Sequence, residues 1–172
     1  MLKRLAVIAL VAMLAGCGFH LRGQGEDASA TTAQLPALQI LGLSEHPKFA
    51  RVLESTLAGR GFKPTDEPAP VRLQIEALTL HEEPLSFNPR LEVAEYRVVQ
   101  RLRYRLIQGG NDRQRTFNEL TAEEAYQAEP QRPAADREQR RQAIQQLHQD
   151  LATQLATQLT RFCTRQVNRC TP

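Results

Sequence analysis

The chain has 172 residues, which suits one domain of ordinary size better than two. Charged residues make up 24% and hydrophobic residues 41%, so the composition excludes both a disordered tail and a bundle of membrane-spanning helices. Lys and Arg number 22 against 19 Asp and Glu, and Trp is absent. Two of the cations, Lys3 and Arg4, precede an apolar run and are expected to be removed with it, so the remaining chain is nearly neutral and argues against a nucleic-acid partner.

The N-terminus has the layout of a cleaved export signal. The two cations are followed by an unbroken apolar run over residues 5–14 and by small residues before Cys17. The run is shorter than the roughly 20 residues of a permanent transmembrane helix. We therefore predict a signal peptide over residues 1–16.

The residue at the cleavage point indicates lipidation. The sequence LAGC over residues 14–17 resembles the lipobox of bacterial lipoproteins, in which the Cys is acylated. The alternative is an ordinary signal peptide whose boundary holds a Cys. Residue 18 is Gly, whereas Asp usually retains such lipoproteins in the inner membrane. We expect a protein acylated at Cys17 and anchored by its acyl chains to the outer membrane, on the periplasmic side.

The other two cysteines are predicted to form a disulfide. Cys163 and Cys170 would lie in an oxidising compartment, where disulfides persist. A metal site is the weaker alternative, because none of the four His residues lies at ligand spacing from either Cys. Seven residues of continuous helix would hold the two Cα atoms about 10 Å apart, beyond the bridging limit of about 7 Å. We therefore expect the last helix to end between them.

The chain after the signal divides into a tether and one domain. Residues 17–34 are small and polar and predict a flexible, lipidated tether. The periodicity over residues 35–172 then predicts a strand near Leu38, a helix that ends at residues 59–61, and a loop over residues 63–70. We predict a strand over residues 71–80, with a change of apolar parity at Leu78, and then a loop over residues 81–89. The longest strand follows over residues 92–108, a turn over residues 109–112, and a fourth strand over residues 116–126.

A long helix is predicted to end the domain. Asp136 and Gln139 have the spacing of a capping box, and the helix continues to about Phe162. Its apolar residues fall within an arc of about 120°, which is the width of one buried stripe. The opposite face is rich in Gln rather than cationic, so packing on a sheet is favoured over membrane binding or a coiled coil. The stripe consists of Ile144, Leu147, Leu151, Leu155, Leu159 and Phe162.

The element order predicts the fold class. Strand, helix, three strands and helix indicate an α+β two-layer sandwich, with two helices packed on one face of a mixed four-stranded sheet. The three consecutive strands are expected to pair antiparallel, and the first strand to pair in parallel. The other face of the sheet is then left open or covered by a partner.

Catalytic chemistry finds no support in the sequence. No Ser lies in a Gly-x-Ser-x-Gly motif, and no Lys-Ser/Thr follows Gly109 and Gly110, as a phosphate loop requires. Glu123 and Glu124 are adjacent on a predicted strand, so their carboxylates point to opposite faces. We predict no enzyme activity, no cofactor and no metal.

One row of cations stands out on the long strand. The row consists of Arg97, Arg101, Arg103 and Arg105. Strand residues two apart lie about 6.6 Å from each other, so these side chains share the face opposite the apolar one. The row is either a solvent face balanced by acids on neighbouring strands or a contact surface for phosphate or carboxylate groups, which Arg engages bidentately. Arg90, just before the strand, adds to the same positive field.

The sequence resembles a known family at several points. Residues 17–23, CGFHLRG, are similar to the mature N-terminus of the lipopolysaccharide-assembly lipoprotein LptE family. The resemblance continues in residues 94–96, AEY, which open the long strand, in the helix start over residues 136–139, and in the order of elements.

The resemblance implies a function. Members of this family form a two-layer α/β domain that sits as a plug inside the β-barrel protein LptD, and the pair delivers lipopolysaccharide to the outer leaflet. The family's lipoprotein also binds lipopolysaccharide through basic residues, of which Arg90 is the best match here. The second basic position, near the start of the last helix, reads Ala134-Ala135 here, with Arg132 and Arg137 nearby.

Two alternatives belong to other classes. A generic periplasm-facing outer-membrane lipoprotein that serves as a scaffold would bind neither lipopolysaccharide nor a barrel. An anchored hydrolase is disfavoured by the missing nucleophile.

Overall fold

The computed structural model describes residues 35, 37–108 and 117–165. The predicted signal peptide, Cys17, the tether, the turn at residues 109–112 and Cys170 lie outside the described residues. The elements in chain order are β1 (Ala37–Leu41), α1 (Pro47–Gly59), β2 (Lys63–Thr65), β3 (Val71–Phe87), β4 (Val93–Gln108), β5 (Asn118–Gln127) and α2 (Pro133–Arg165).

The strands form one mixed sheet in the order β2-β1-β3-β4-β5. The first strand, β1, runs parallel to both of its neighbours, whereas β3, β4 and β5 pair antiparallel. Both predicted pairing directions are therefore confirmed. The β3–β4 hairpin is the longest part of the sheet, and β5 pairs only with the half of β4 nearer the hairpin turn, from Glu95 to Tyr104.

The predicted two-layer α+β architecture is confirmed, and leucine is the commonest residue of its core. The two helices contact each other, and α2 packs on β5 and β4. Leu147, Leu151, Leu155 and Leu159 of the predicted stripe are fully buried, while its end residues Ile144 and Phe162 are partly buried. Ala152 and Ala156 are also fully buried, and their small side chains let the helix approach the sheet closely.

The sheet has a fifth strand where the sequence predicted only a loop. Strand β2 has three residues, Lys63–Thr65, and pairs in parallel with β1 at the edge of the sheet. Three residues are too few to show a period of two, and Pro64 lacks the N–H that pairing on both sides would need. The predicted loop over residues 63–70 was wrong at this point.

The first strand of the β3–β4 hairpin is longer than predicted. Residues 81–89 were expected to form a loop, but β3 continues to Phe87 and leaves only a short turn before β4. Glu82, Glu83 and Pro84 have low β-propensity, so no residue pattern predicts a strand there. Cross-strand contacts override that preference, since Glu83 lies opposite Arg97 and ion-pairs with it.

The change of apolar parity in β3 is compatible with either a bulge or an end to the strand pairing, and the structure shows a β-bulge. The register with β4 shifts between Ile75 and Ala77, which moves Leu78 onto the helix-facing side opposite Leu102. Gly42, just after β1, lies against this bulge with a positive φ of 85°. A Cβ at Gly42 would stand 2.1 Å from the carbonyl oxygen of Ile75, so only Gly fits.

The predicted capping box at the start of the last helix is wrong. The helix α2 begins at Pro133, so Asp136 lies inside its first turn. The Asp136 carboxylate accepts a hydrogen bond from the Glu129 backbone N–H at 3.0 Å, and the Gln139 amide donates to the Glu129 carboxylate at 2.8 Å. Both side chains therefore hold the preceding loop, while Pro133 supplies the N-terminal residue that a helix tolerates.

In the part of the chain that the structure describes, no helix is both long enough and apolar enough to cross a membrane.

Truncating the leucine stripe should destabilise the domain strongly. Leu151 is fully buried, so Leu151→Ala removes burial and leaves a cavity, and we expect a loss of about 2–5 kcal/mol in the free energy of unfolding. Gln149→Ala, on the exposed side of the same helix, should change it by no more than about 0.5 kcal/mol. Urea unfolding of both variants checks this, and an equal, small effect in the two would contradict the assigned core.

Candidate functional site

Neither helix of the described residues packs on one face of the sheet. Side chains alternate across each strand, so the residues of β4 that face away from the helices are the odd-numbered ones. Arg101 and Arg103 on β4 are exposed, as are the flanking residues Thr79 on β3 and Glu119 and Thr121 on β5. We call this surface the open face.

The two outer members of the arginine row have partners within the sheet. Arg97 donates to the Glu83 carboxylate, through Nε at 2.8 Å and also through Nη2. Arg105 donates to the side-chain oxygen of Gln74, at 2.8 Å from Nη2, and its Nε lies 3.3 Å from the Glu76 carboxylate. The hydrogen bond and the charge of Arg97 lower the pKa of Glu83 and those of Glu83 raise the pKa of Arg97.

The two central members are different. Among the described residues, neither Arg101 nor Arg103 forms an ion pair with a carboxylate. The Arg103 guanidinium instead lies over the ring of Phe117, 5.1 Å from its centroid, and Phe117 itself is 42% exposed. The open face therefore has paired cations at both ends and two guanidiniums at its centre with unused donors.

A second feature lies at the turn of the β3–β4 hairpin. The turn is organised by Asn88, whose side-chain oxygen accepts from the backbone N–H groups of Arg90 at 2.8 Å and of Glu92 at 3.0 Å. The Asn88 amide also donates to the Glu92 carboxylate at 2.9 Å. Leu91 has a positive φ of 63°, a strained conformation for a bulky residue. These bonds hold Arg90 and Leu91 in place at the end of the hairpin.

The hairpin turn and the loop between β5 and α2 enclose a pocket of about 520 Å³, which we call the tip pocket. Arg90 lines it from the turn, and Arg132 lines it from the loop. Arg132 lies 2.5 Å from the Glu129 carboxylate, whereas Arg90 has no ion pair among the described residues. The structure thus brings together Arg90 and one of the two cations that flank the predicted second basic position. The other, Arg137, lies elsewhere, on α2.

Large apolar side chains are exposed beside the tip pocket. Leu91 is 84% exposed and Phe87 61% exposed, and both belong to the same turn region as Arg90. Leu85, further back on β3, is also exposed. Such an apolar cluster next to cations is typical of a surface that contacts an amphiphile or a partner protein.

A polar network fixes the hairpin against the helix layer. Glu82 on β3 accepts from the Tyr126 hydroxyl on β5 and from Arg140 on α2, the latter at 2.8 Å. The Tyr126 ring stacks on Tyr96 at 5.5 Å between centroids. Burial, followed by the hydrogen bond to Glu82, raises the pKa of Tyr126, so the hydroxyl stays protonated at neutral pH. These contacts connect the hairpin that carries the tip pocket to β5 and to α2.

The remaining predicted site residues are placed as follows. Cys163 is buried near the end of α2, and its expected partner Cys170 lies outside the described residues, as does Cys17. Within the described residues no cluster of three His, Cys, Asp or Glu side chains has the geometry to hold a metal ion. Sequence reasoning missed the role of Asn88, although an Asn before Pro-Arg is a usual turn signal, and it missed Phe117, which no pattern marks.

Solved structures of several bacterial lipoproteins share this fold. Rare lipoprotein B from Shewanella oneidensis is 17% identical, with a TM-score of 0.59 over 77% of this chain and 97% of that one. Lipoprotein B from Nitrosomonas europaea is 18% identical, with a TM-score of 0.62 over 86% of this chain and 93% of that one. A minor lipoprotein from Acinetobacter baumannii is 17% identical, with a TM-score of 0.58 over 72% and 89% of the two chains. At these identities the likeness establishes the fold.

The sequence itself establishes the family. No curated protein sequence matches the chain significantly. The sequence model of the LptE family, described as lipopolysaccharide-assembly, matches residues 37–159, which span every strand and nearly all of the last helix. LptE proteins are outer-membrane lipoproteins without enzymatic activity. The chain therefore belongs to the LptE family of lipopolysaccharide-assembly lipoproteins.

Proposed function

We propose that this protein is anchored in the outer membrane through acylated Cys17, plugs and supports assembly of the LptD β-barrel, and binds lipopolysaccharide during its delivery to the outer leaflet. The observation that carries the proposal is the tip pocket, where Arg90 and Arg132 line one cavity beside the exposed Phe87 and Leu91. Lipopolysaccharide combines phosphate groups with acyl chains, and this end of the hairpin offers donors for the first and apolar surface for the second.

The open face supports the barrel part of the proposal. The two helices use the other face of the sheet, so a partner that surrounds the domain meets the open face directly. Arg101 and Arg103 have unused donors that suit carboxylate or backbone oxygen acceptors on a barrel wall. The proposed Cys163–Cys170 disulfide would tie the end of the chain to α2, on the helix side of the domain.

Removing charge from the tip pocket should weaken lipopolysaccharide binding. Each charge-assisted hydrogen bond to phosphate contributes about 1.5–3 kcal/mol, so Arg90→Gln with Arg132→Gln should lower affinity at least about tenfold. The matched control is Arg60→Gln with Lys63→Gln, which removes the same charge outside the pocket and should bind like the wild type. Binding is measured with purified full-length protein and lipopolysaccharide in detergent. Equal affinity in the two variants would reject the tip pocket as the site, and no binding by the wild type would favour the generic scaffold.

Removing charge from the centre of the open face should weaken the barrel complex and leave the fold unchanged. Arg101 and Arg103 have no ion pair to lose among the described residues, and Arg103 loses its contact with the Phe117 ring. We therefore expect Arg101→Gln to shift stability by no more than about 0.5 kcal/mol and Arg103→Gln by no more than about 1 kcal/mol. Co-purification of the barrel from detergent-solubilised outer membranes should fall in this variant and persist in the Arg60, Lys63 control. Full co-purification would mean that the open face is only solvated. Substituting all four arginines is a poorer test, because Arg97 and Arg105 have partners within the sheet.

A further inference from the structure

A second concave surface lies between the two helices, on the helix layer rather than on the open face. It has a volume of about 750 Å³, within the range of about 300–1,000 Å³ that is usual for small-molecule sites. One side is formed by consecutive turns of α1 and the other by the first half of α2. We call it the helix groove, and its lining residues with charge or a ring are Lys48, Arg51, Arg137, Arg140, Arg141 and His148.

The charge of the helix groove is one-sided. None of its lining residues is acidic. Arg140 and Arg141 are ion-paired with Glu82 and Glu138, which lie outside the lining. Among the described residues, Lys48, Arg51 and Arg137 have no carboxylate within ion-pair distance. Three unneutralised cations thus border one cavity.

The pKa of His148 is affected by its burial and by the positive charge of the helix groove. His148 is half-buried in the groove, with its ring against the edge of Phe49 at 5.5 Å between centroids. Burial lowers the pKa of His148, and the charges of Lys48 and His46 on the α1 side lower it further. The imidazole is therefore neutral at neutral pH and adds a hydrogen-bonding group, without a further charge, to the wall of the groove.

The floor of the groove is apolar. Val52 on α1 and Ile144 on α2 line it and pack against the hydrophobic core beneath. Cations beside an exposed apolar floor match a ligand with an anionic head and an alkyl chain.

We propose that the helix groove is a second ligand site, which binds an amphiphile with a phosphate monoester head between Lys48, Arg51 and Arg137 and an alkyl chain along Val52 and Ile144. The site shares no lining residue with the tip pocket. Because its occupant is again a phosphorylated lipid, the inference extends the proposed function to a second place on the domain and rests on it. The two sites would allow the protein to hold phosphorylated lipid on its helix layer as well as at the hairpin turn.

The test uses full-length protein and dodecyl phosphate below its micelle concentration. Binding is measured by isothermal titration calorimetry and by amide chemical-shift changes. We expect shifts concentrated in residues 48–55 and 137–148, together with a shift of the His148 ring resonances. Inorganic phosphate, which lacks the chain, and dodecyl maltoside, which lacks the charge, should each bind at least about tenfold more weakly, because each makes only part of the contacts.

Two matched variants separate this site from the tip pocket. Lys48→Gln with Arg51→Gln and Arg137→Gln should lower dodecyl phosphate affinity at least about tenfold, since each lost charge-assisted hydrogen bond is worth about that factor. Arg90→Gln with Arg132→Gln should leave the chemical-shift changes in the groove unchanged. Thermal melting confirms that both variants are folded, and the shift map of the wild type stands as evidence even if the triple variant does not fold.

Several results would overturn the proposal. Wild-type shifts outside the two ranges, or equal binding of dodecyl maltoside, would show that the groove does not recognise phosphate. Equal binding of inorganic phosphate would show an anion site without a place for the chain. Loss of binding in the tip variant alone would place the ligand in the tip pocket, which would support the proposed function and reject the second site. Displacement of the probe only by an acidic peptide, and not by other alkyl phosphates, would identify a protein segment as the occupant.

Discussion

The burial of one leucine stripe determines which face of the sheet the helices cover and which face they leave open. Four leucines of α2 are fully buried, and each contributes about 1.5–3 kcal/mol relative to exposure. Because α1 packs beside α2 on the same side of the sheet, both helices are used on one layer. The described residues of the opposite layer are strand residues, and at its centre lie Arg101 and Arg103, which form no ion pair within the described part of the chain. This sheet face is therefore available to a partner.

Polar contacts hold the β3–β4 hairpin and the loop between β5 and α2 to the rest of the domain. Glu82 links β3 to Tyr126 of β5 and to Arg140 of α2. These bonds hold to the helix layer the part of the hairpin near its turn, which lies beyond the residues of β3 that pair with β1. The Asp136 and Gln139 contacts to Glu129 hold the loop that forms one wall of the tip pocket. A preorganised cavity loses less conformational entropy when a ligand binds. Strain at Leu91 is tolerated because the Asn88 bonds surround it.

The parts of the fold that could be predicted from the sequence are those that produce a periodic pattern of apolar residues. The leucine stripe, the parity of β4 and the bulge in β3 all follow from apolar spacing, and the fold class follows from their order. The short strand β2 and the extension of β3 over Glu82–Glu83 depend on tertiary contacts, which local propensity does not contain. The arginine row was visible as a row, but its division into paired ends and an unpaired centre depends on Glu83, Gln74 and Glu76 of the neighbouring strand. The meeting of Arg90 with Arg132 likewise joins distant parts of the chain.

We propose that a surrounding barrel covers the open face. An arginine-specific dicarbonyl reagent, read out by mass spectrometry, tests it on the lipoprotein alone and on the lipoprotein purified with its barrel. If the barrel covers the open face, Arg101 and Arg103 react readily in the isolated protein. In the complex they should react at least about tenfold more slowly, because burial removes a guanidinium from solvent. Exposed Arg60, at the end of α1, serves as the internal reference for reagent activity. Equal modification of Arg101 and Arg103 in both samples would show that the barrel does not cover the open face.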